Sequence, residues 1–285
     1  MTPKKPKVYN QAWAGYYDMW GKTESPWRPN KNDIAFCEKM IKDILKKEKS
    51  PKALIFGSTP EIRDLLAKYE IETTVVDVNP TMKKAMDKLM KRKNPKEKLT
   101  IDNWLSVKLP EEYFDLVFSD GPLCNIALNT WVKFINNING SLKKEGLFYL
   151  AAWVYQIRNP WRFGDLIAKY KKDPAYFKDF KNRIWSLHRL YQEPGLYNRK
   201  KKEFYFKGIT KGLEELIRKG VINKIDFGKL QWMKDEDMSS YVEIAFDNIR
   251  ENDNFLRQFY TIKEIYTDRS HPIMAFRRDY VLKKK

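Results

Sequence analysis

The sequence predicts an α/β fold built on an open, doubly wound, mostly parallel seven-stranded sheet. Helices cover both faces, an antiparallel strand pair stands at the C-terminal end, and a helical insertion precedes that pair. Three observations predict it. Short apolar runs alternate with helical patterns from about residue 50 to 155, as βαβ units require. Gly, Pro and Asn stand at the joins between them. Two β-rich runs, FYTIKEIYTD and MAFRRDYVLKK, flank Ser270, His271 and Pro272.

Residues 1–49 hold an aromatic-rich lead with Tyr16, Tyr17, Trp20 and Trp27, then a helix on which Ile34, Cys37, Met40, Ile41 and Ile44 or Leu45 recur at helical spacing. Residues 50–155 form the core. ALIF reads as a buried strand, Gly57 permits a turn, Thr59 can cap, and Pro60 suits the first helical position, with Ile62, Leu65, Leu66 and Tyr69 on one face. IETTVVDV is the second strand, and Asn79-Pro80 opens a helix buried through Met82, Met86, Leu89 and Met90, all read as core packing. LTI is a short third strand and YFDLVFSD a fourth. CNIALNTWVKFINNI is helical through Ile126, Ala127, Phe134 and Ile138, and GLFYLAAWVY is the fifth strand. Gly146 stands where a helix-to-strand turn calls for tolerance of positive φ. Residues 156–235, broken at Pro174, Pro194-Gly195 and Gly220, read as a helical insertion. Residues 236–285 complete the core, with Met238, Tyr241, Val242, Ala245, Phe246 and Ile249 marking a helix ahead of the strand pair.

Composition narrows the setting. Lys plus Arg number 55 against 37 Asp plus Glu, a net charge of +18, which favours an anionic partner such as RNA or an acidic metabolite. The competing reading is that lysine-rich stretches such as MKKAMDKLMKRKNPKEK are solvated helix faces. Cys37 and Cys124 have no paired spacing, so neither a disulfide nor a metal framework is expected, and a cytoplasmic, soluble protein follows. The N-terminus carries no apolar run of signal-peptide length, and no stretch approaches membrane-spanning length.

In open α/β sheets ligands bind beyond the carboxyl ends of the strands, where strand order reverses. Four segments end there: Gly57-Ser58-Thr59-Pro60, Asp77, Asp102-Asn103-Trp104 and Asp120-Gly121-Pro122. Asp77 lies 20 residues beyond Gly57, the spacing at which an acid accepts hydrogen bonds from a nucleoside ribose. The first turn lacks GxGxxG, and Thr59 and Glu61 crowd the approach a pyrophosphate needs, which disfavours dinucleotides. S-adenosylmethionine has no phosphate, and its sulfonium suits an acid-rich crevice.

Through LIFGSTPEIRDLL, VVDVNPTM, the DNW step, FDLVFSDGPL and LKKEGLFYLA, in that order, residues 50–153 resemble the class I S-adenosylmethionine-dependent methyltransferases, which have a Rossmann-like fold. The resemblance implies that Gly57, Ser58 and Thr59 border the methionine part. Asp77, with Val78 beside it, would hold the ribose. Asp102 and Asn103 would meet the adenine edge, and Trp104 either covers the adenine face or packs in the core. Asp120 and Gly121 would lie near the methionine or the transferred methyl, with Asp120 the first candidate for a catalytic or orienting role and His188 a second. Tyr17, Trp27 and Arg28 would belong to a lid, Arg28 pairing with the cofactor carboxylate; the alternative is a surface helix packed by its aromatics. The sequence departs from the family pattern at Ile55, where an acid usually stands, and in its single glycine.

DGPL replaces the Asn-Pro-Pro-aromatic motif after the fourth strand, which disfavours methylation of exocyclic base or glutamine nitrogens, and no CxxC context supports a cysteine-mediated RNA mechanism. The aromatics of the insertion suit a small or amphipathic acceptor, and Arg199 to Lys202 suit RNA. A small-molecule acceptor ranks first and an RNA methyltransferase second. An aminopropyl-type transferase and a noncatalytic basic RNA-binding module are the readings from other classes.

Overall fold

The structure, a computed structural model, describes residues 25–155, 159–190, 193–205, 207–225 and 242–285. Its centre is a seven-stranded sheet of order β3-β2-β1-β4-β5-β10-β9. β1 (Lys52–Phe56), β2 (Glu72–Asp77), β3 (Glu97–Ile101), β4 (Phe114–Asp120) and β5 (Leu142–Trp153) run parallel. β9 (Tyr260–Tyr266) and β10 (Arg277–Lys284) complete the sheet as an antiparallel pair, β10 lying along β5. The chain steps from β1 outward to β2 and β3, then returns to place β4 on the other side of β1. Strand order therefore reverses between β1 and β4, and a crevice opens beyond their carboxyl ends.

The period of two along each central strand sends alternate side chains to opposite cores. Ala53, Ile55, Leu116, Phe118 and Tyr149 pack with Cys37, Met40 and Ile41 of α1 (Lys31–Leu45) and Leu65 and Leu66 of α2 (Pro60–Lys68). Leu54, Phe56, Val117, Phe148 and Leu150 pack on the other face against Trp131, Phe134 and Ile138 of α4 (Trp131–Ser141). α3 (Pro80–Leu89) follows β2. A third core joins α5 (Phe163–Lys172) and α6 (Phe180–Arg189) to Trp153, Tyr155 and Phe276, at the carboxyl end of β5. Cys37 and Cys124 are buried and not joined in a disulfide, and no helix among the described residues is long and apolar enough to cross a membrane.

Several local expectations are corrected. The insertion is not wholly helical: β7 (Glu203–Tyr205) pairs antiparallel with β6 (Tyr197–Asn198) on one side and β8 (Val242–Ile244) on the other, and α7 (Lys207–Arg218) lies between β7 and β8 in sequence. The helix expected from Met238 begins only at Ile249, as α8 (Ile249–Arg257), where Asn248 caps the Arg250 amide. Val242 and Ile244 are β-branched, and pairing with β7 overrides a spacing that also fits a helix; Met238 and Tyr241 lie outside the described residues. Residues 123–130 form two short 3₁₀ turns before α4, because the Trp131 indole N–H takes the Leu123 and Ile126 carbonyls at 3.0 and 3.2 Å. Thr59 occupies the cap position without a capping bond. Gly146 lies inside β5, at a register shift between β4 and β5. A Cβ there would stand 2.7 Å from the Leu142 side chain and 3.1 Å from two backbone oxygens, so close packing is what demands glycine.

The β3 edge is anchored by a buried cation. Arg63 of α2 is 2 % exposed, and its guanidinium meets Glu97 of β3 at 2.9 and 2.5 Å and Asp87 of α3 at 2.6 Å. Removing one member of a buried pair leaves uncompensated charge. Arg63→Ala should therefore destabilise the fold by about 3–5 kcal/mol in urea unfolding; a loss under about 1 kcal/mol would show that this anchor is dispensable.

Candidate active site

Gly57 ends β1 with φ +95°, a region open to glycine at no steric cost. A Cβ there would still clear its nearest neighbour, the Trp104 ring, at 3.7 Å, so backbone conformation rather than crowding selects the residue. The turn presents Ser58 and Thr59, both buried, toward the strand ends on either side. Ser58 Oγ donates to Asp77 Oδ2 at 2.6 Å, and the Asn79 amide donates to Asp77 Oδ1 at 2.9 Å. Burial raises the Asp77 carboxyl above its ordinary range, with the Ser58 and Asn79 bonds pulling the other way. The Val78 backbone amide also bears on this carboxylate; with about four lone-pair directions it keeps accepting capacity for a ligand's hydroxyl.

A cleft beyond β1, β2 and β4 gathers Gly57, Ser58, Thr59, Asp77, Val78, Asn103, Trp104 and Asp120, eight of the positions expected from the sequence. Trp104 serves two purposes: its indole N–H donates to the Val76 carbonyl at 2.9 Å, its ring packs near Phe56 and Phe134, and it still lines the cleft. Asn79, Met82, Met86, Asn125 and Ile126 are further lining residues that the sequence reading did not place there. Met82 and Met86 were assigned to core packing alone; they are buried, yet form the cleft's apolar side. Their position, in the first turns after the strand that ends in Asp77, was the available signal.

Other expected residues fall elsewhere. Asp102 is exposed, accepts from the Asn103 amide at 2.6 Å and is not part of the cleft wall. Gly121, with φ +65°, turns the chain so that its carbonyl accepts from the Asn125 side chain at 2.8 Å. A Cβ there would stand 3.3 Å from the Trp153 indole nitrogen. Arg28 donates through Nε to the Glu61 carboxylate, and Trp27 packs with the third core near His188, at 6.4 Å between rings. His188 is wholly buried, its Nδ1 bonded to the Ile184 carbonyl at 2.8 Å and Nε2 to the Tyr155 hydroxyl at 3.0 Å. Tyr16, Tyr17 and Trp20 lie outside the described residues.

Asp120 faces the cleft but is also bound from behind. Its Oδ1 pairs with Arg277 Nη1 at 2.8 Å, and Thr59 Oγ1 lies 3.5 Å from Oδ2. Burial raises its carboxyl, Arg277 opposes that shift and Asp33 adds to it. Arg277, missed in the sequence reading, is 3 % exposed and also contacts Asp279 at 3.0 Å and the Tyr149 hydroxyl at 2.8 Å.

The cleft therefore holds two carboxylates, apolar methionines and a tryptophan, and among the described residues no Lys or Arg lines it. Residues 56–150 match the family model of a methyltransferase domain. The match covers about a third of the chain, from the end of β1 into β5, on a sheet of the Rossmann-like class. No curated protein sequence matches the chain. The N-methyltransferase NodS from Bradyrhizobium japonicum, in complex with S-adenosyl-L-homocysteine, superposes with a TM-score of 0.53 at 12% identity over 97% of this chain and 98% of that one. A 1,6-didemethyltoxoflavin N1-methyltransferase from Burkholderia thailandensis, with 1,6-didemethyltoxoflavin and S-adenosylhomocysteine bound, gives 0.51 at 10% identity over 100% and 93%. A Rhodobacter sphaeroides structure with the provisional description of a zinc-dependent alcohol dehydrogenase gives 0.56 at 15% identity over 99% and 100%. At these identities the likeness shows the fold, and one fold hosts many activities.

The carboxyl of Asp279, 1 % exposed, is pushed by burial to about 8, with Arg277 lowering it and Asp33 and Asp120 raising it. An acid whose folded value exceeds its unfolded one binds its proton more tightly when folded. Its stabilisation is complete below the ordinary value of 3.8 and is lost as pH rises through about 8. Unfolding free energy should thus decline from about pH 5 to pH 8, this group contributing at most about 1.4 kcal/mol per pH unit. Asp279→Asn should flatten that decline in denaturant titrations; an unchanged slope would remove Asp279 from the cause.

Proposed function

We propose that the chain is an S-adenosylmethionine-dependent methyltransferase that acts on a small-molecule acceptor. The observation that carries this reading is the acid-lined cleft at the reversal of strand order, which no Lys or Arg lines among the described residues. A phosphate-bearing dinucleotide would meet Asp77 and Asp120 there with no cation to receive its charge, whereas a sulfonium nucleoside is suited by both. Asp77 would accept the ribose hydroxyls, Asn103 and Trp104 would meet the adenine, and Met82, Met86 and Ile126 would enclose it. Gly57, Ser58 and Thr59 would border the amino-acid end, near Asp120.

The cofactor would supply an electrophilic methyl group carried on a positively charged sulfur. The chain's part is then to align the acceptor and keep water out, and such positioning supplies much of the rate without a dedicated base. Asp120 has one oxygen committed to Arg277. Its remaining oxygen is suited to orienting an amine or hydroxyl, a role that fits its buried, anchored position better than free proton exchange does.

Residues 156–235 are proposed to select the acceptor, since the third core they build lies at the carboxyl end of β5. A small molecule is favoured over RNA by the fate of the basic run. Lys202 is bound to Asp247 and Glu251, each at 3.1 Å, and Arg199 and Lys201 lie 3.9 Å from Asp247 and Glu203. Charges neutralised in this way release few counterions from a nucleic acid. The bound 1,6-didemethyltoxoflavin of the Burkholderia thailandensis structure gives a precedent for a small acceptor on a similar fold.

Asp77→Ala should weaken binding of S-adenosylmethionine by about 1–3 kcal/mol in calorimetry, and Asp77→Asn by less, because one acceptor oxygen survives. Wild-type affinity in Asp77→Ala would remove the ribose assignment. With labelled S-adenosylmethionine and fractionated cell extract, label should enter the small-molecule fraction; label confined to RNA would establish the other acceptor class, and no binding of the cofactor or its demethylated product would overturn the methyltransferase reading.

A further inference from the structure

A second basin, of about 630 Å³, opens between α6, the turn before β10 and the start of α8. It shares no lining residue with the cleft at Gly57, and its volume falls within the range of small-ligand sites. The apolar part of its wall includes Trp185 and Phe276, whose rings lie 5.4 Å apart, and Ile249. Among the described residues its charged lining consists of Arg189, Arg269 and Arg278, with no carboxylate.

The three guanidiniums differ in how far they are already engaged. Arg278 lies 3.3 Å from Asp253 and donates to the Tyr280 hydroxyl at 2.9 Å. Arg189 donates Nε to the Asn159 carbonyl at 2.7 Å and lies over the Trp161 ring at 4.0 Å. Among the described residues neither Arg189 nor Arg269 forms an ion pair, and the carboxylate in direct contact with the three cations is Asp253, on Arg278, with Asp165 acting on Arg189 from farther away. Burial pulls the Arg189 guanidinium below its ordinary range, with Tyr176 and Asp165 pulling the other way. Thr267 adds to the same lining a buried hydroxyl with no hydrogen-bond partner among the described residues.

Guanidinium groups bind phosphate and carboxylate through paired N–H donors, and aromatic walls receive flat apolar bodies. A nucleic-acid backbone is met instead by a basic groove that follows it along its length. We propose that this basin is a binding site for a small organic anion, a phosphate or carboxylate carried on a flat apolar body. The inference stands independently of methyl transfer.

Calorimetry on the full chain at low salt, with phenyl phosphate, benzoate and the neutral benzyl alcohol, tests it. Saturable binding of phenyl phosphate or benzoate near one per chain, with none for benzyl alcohol, is expected, and the tighter of the two anions identifies the headgroup. Arg269→Gln, at an exposed position, and Arg189→Gln should each weaken that binding at least about fivefold, and Lys200→Gln, elsewhere on the basic surface, should leave it unchanged. Absence of saturable binding by both anions would overturn the proposal, as would undiminished affinity in Arg269→Gln or equal weakening by Lys200→Gln. Arginine-dependent binding of single-stranded RNA, with neither anion bound, would overturn it in favour of a nucleic-acid surface.

Discussion

Arg277, at the first position of β10, brings together parts of the chain that are far apart in sequence. Its guanidinium meets Asp120 at the end of β4, Asp279 on its own strand, the Tyr149 hydroxyl on β5 and the Pro26 carbonyl, and it lies 3.7 Å from Asp33 in the first turn of α1. Asp33 in turn accepts from the Asn30 amide, which starts α1. A buried guanidinium loses several kcal/mol of hydration, so it persists only where its donors are met; here they are met from five directions. Three carboxylates around one cation would leave excess negative charge, and the raised carboxyl of Asp279 relieves it. The antiparallel end of the sheet, the entry to α1 and the floor of the cleft are thereby held in one electrostatic unit.

The geometry of the cleft depends on that unit and on strand order together. Reversal between β1 and β4 leaves a gap at their carboxyl ends, and the turn at Gly57 opens into it. Asp77 is aimed by Ser58 from the β1 turn and by the Asn79 amide from the following helix, so two elements fix one carboxylate. Asp120 is aimed by Arg277 from the far side of β5. Each acid keeps part of its accepting capacity on the cleft side, and neither has to reorganise to receive a ligand, which is the condition under which buried polar groups favour binding rather than oppose it.

Much of this was legible because it rests on local rules. The alternation in ALIF and DLVF, Pro60 and Pro80 at helix starts, and Asp77 placed 20 residues after Gly57 are short-range signals, and the central strands follow them. What escaped is long-range. Arg277 reads as one more basic residue in a basic strand until β10 is laid against β5, which brings it to Asp120, 157 positions earlier. β8 escaped because Val242, Ala245, Phe246 and Ile249 satisfy a helical spacing, while the partner that makes a strand of 242–244 lies beyond the whole of α7. Gly146 was recognised as necessary for the wrong reason: close approach to Leu142 and to the Phe114 carbonyl, rather than a turn, excludes a side chain.

The net charge of +18 also takes a different meaning once its distribution is known. An acidic cleft within a basic protein looks contradictory only if charge is averaged over the molecule. Screening confines surface interactions to about 8–10 Å at physiological salt, so the sign of a site is set by its own lining and immediate neighbours. Around Arg199 to Lys202 the neighbours are Asp247, Glu203 and Glu251, and the basic run is locally balanced. At the Gly57 cleft the lining charges are Asp77 and Asp120, backed on one side by Arg277. Beside α6 the balance reverses, with Arg189 and Arg269 facing a cavity without a carboxylate of their own. The two recesses thus differ in the sign of ligand they favour, although both belong to one positively charged surface, and it is this local segregation rather than the total that bears on what each can bind.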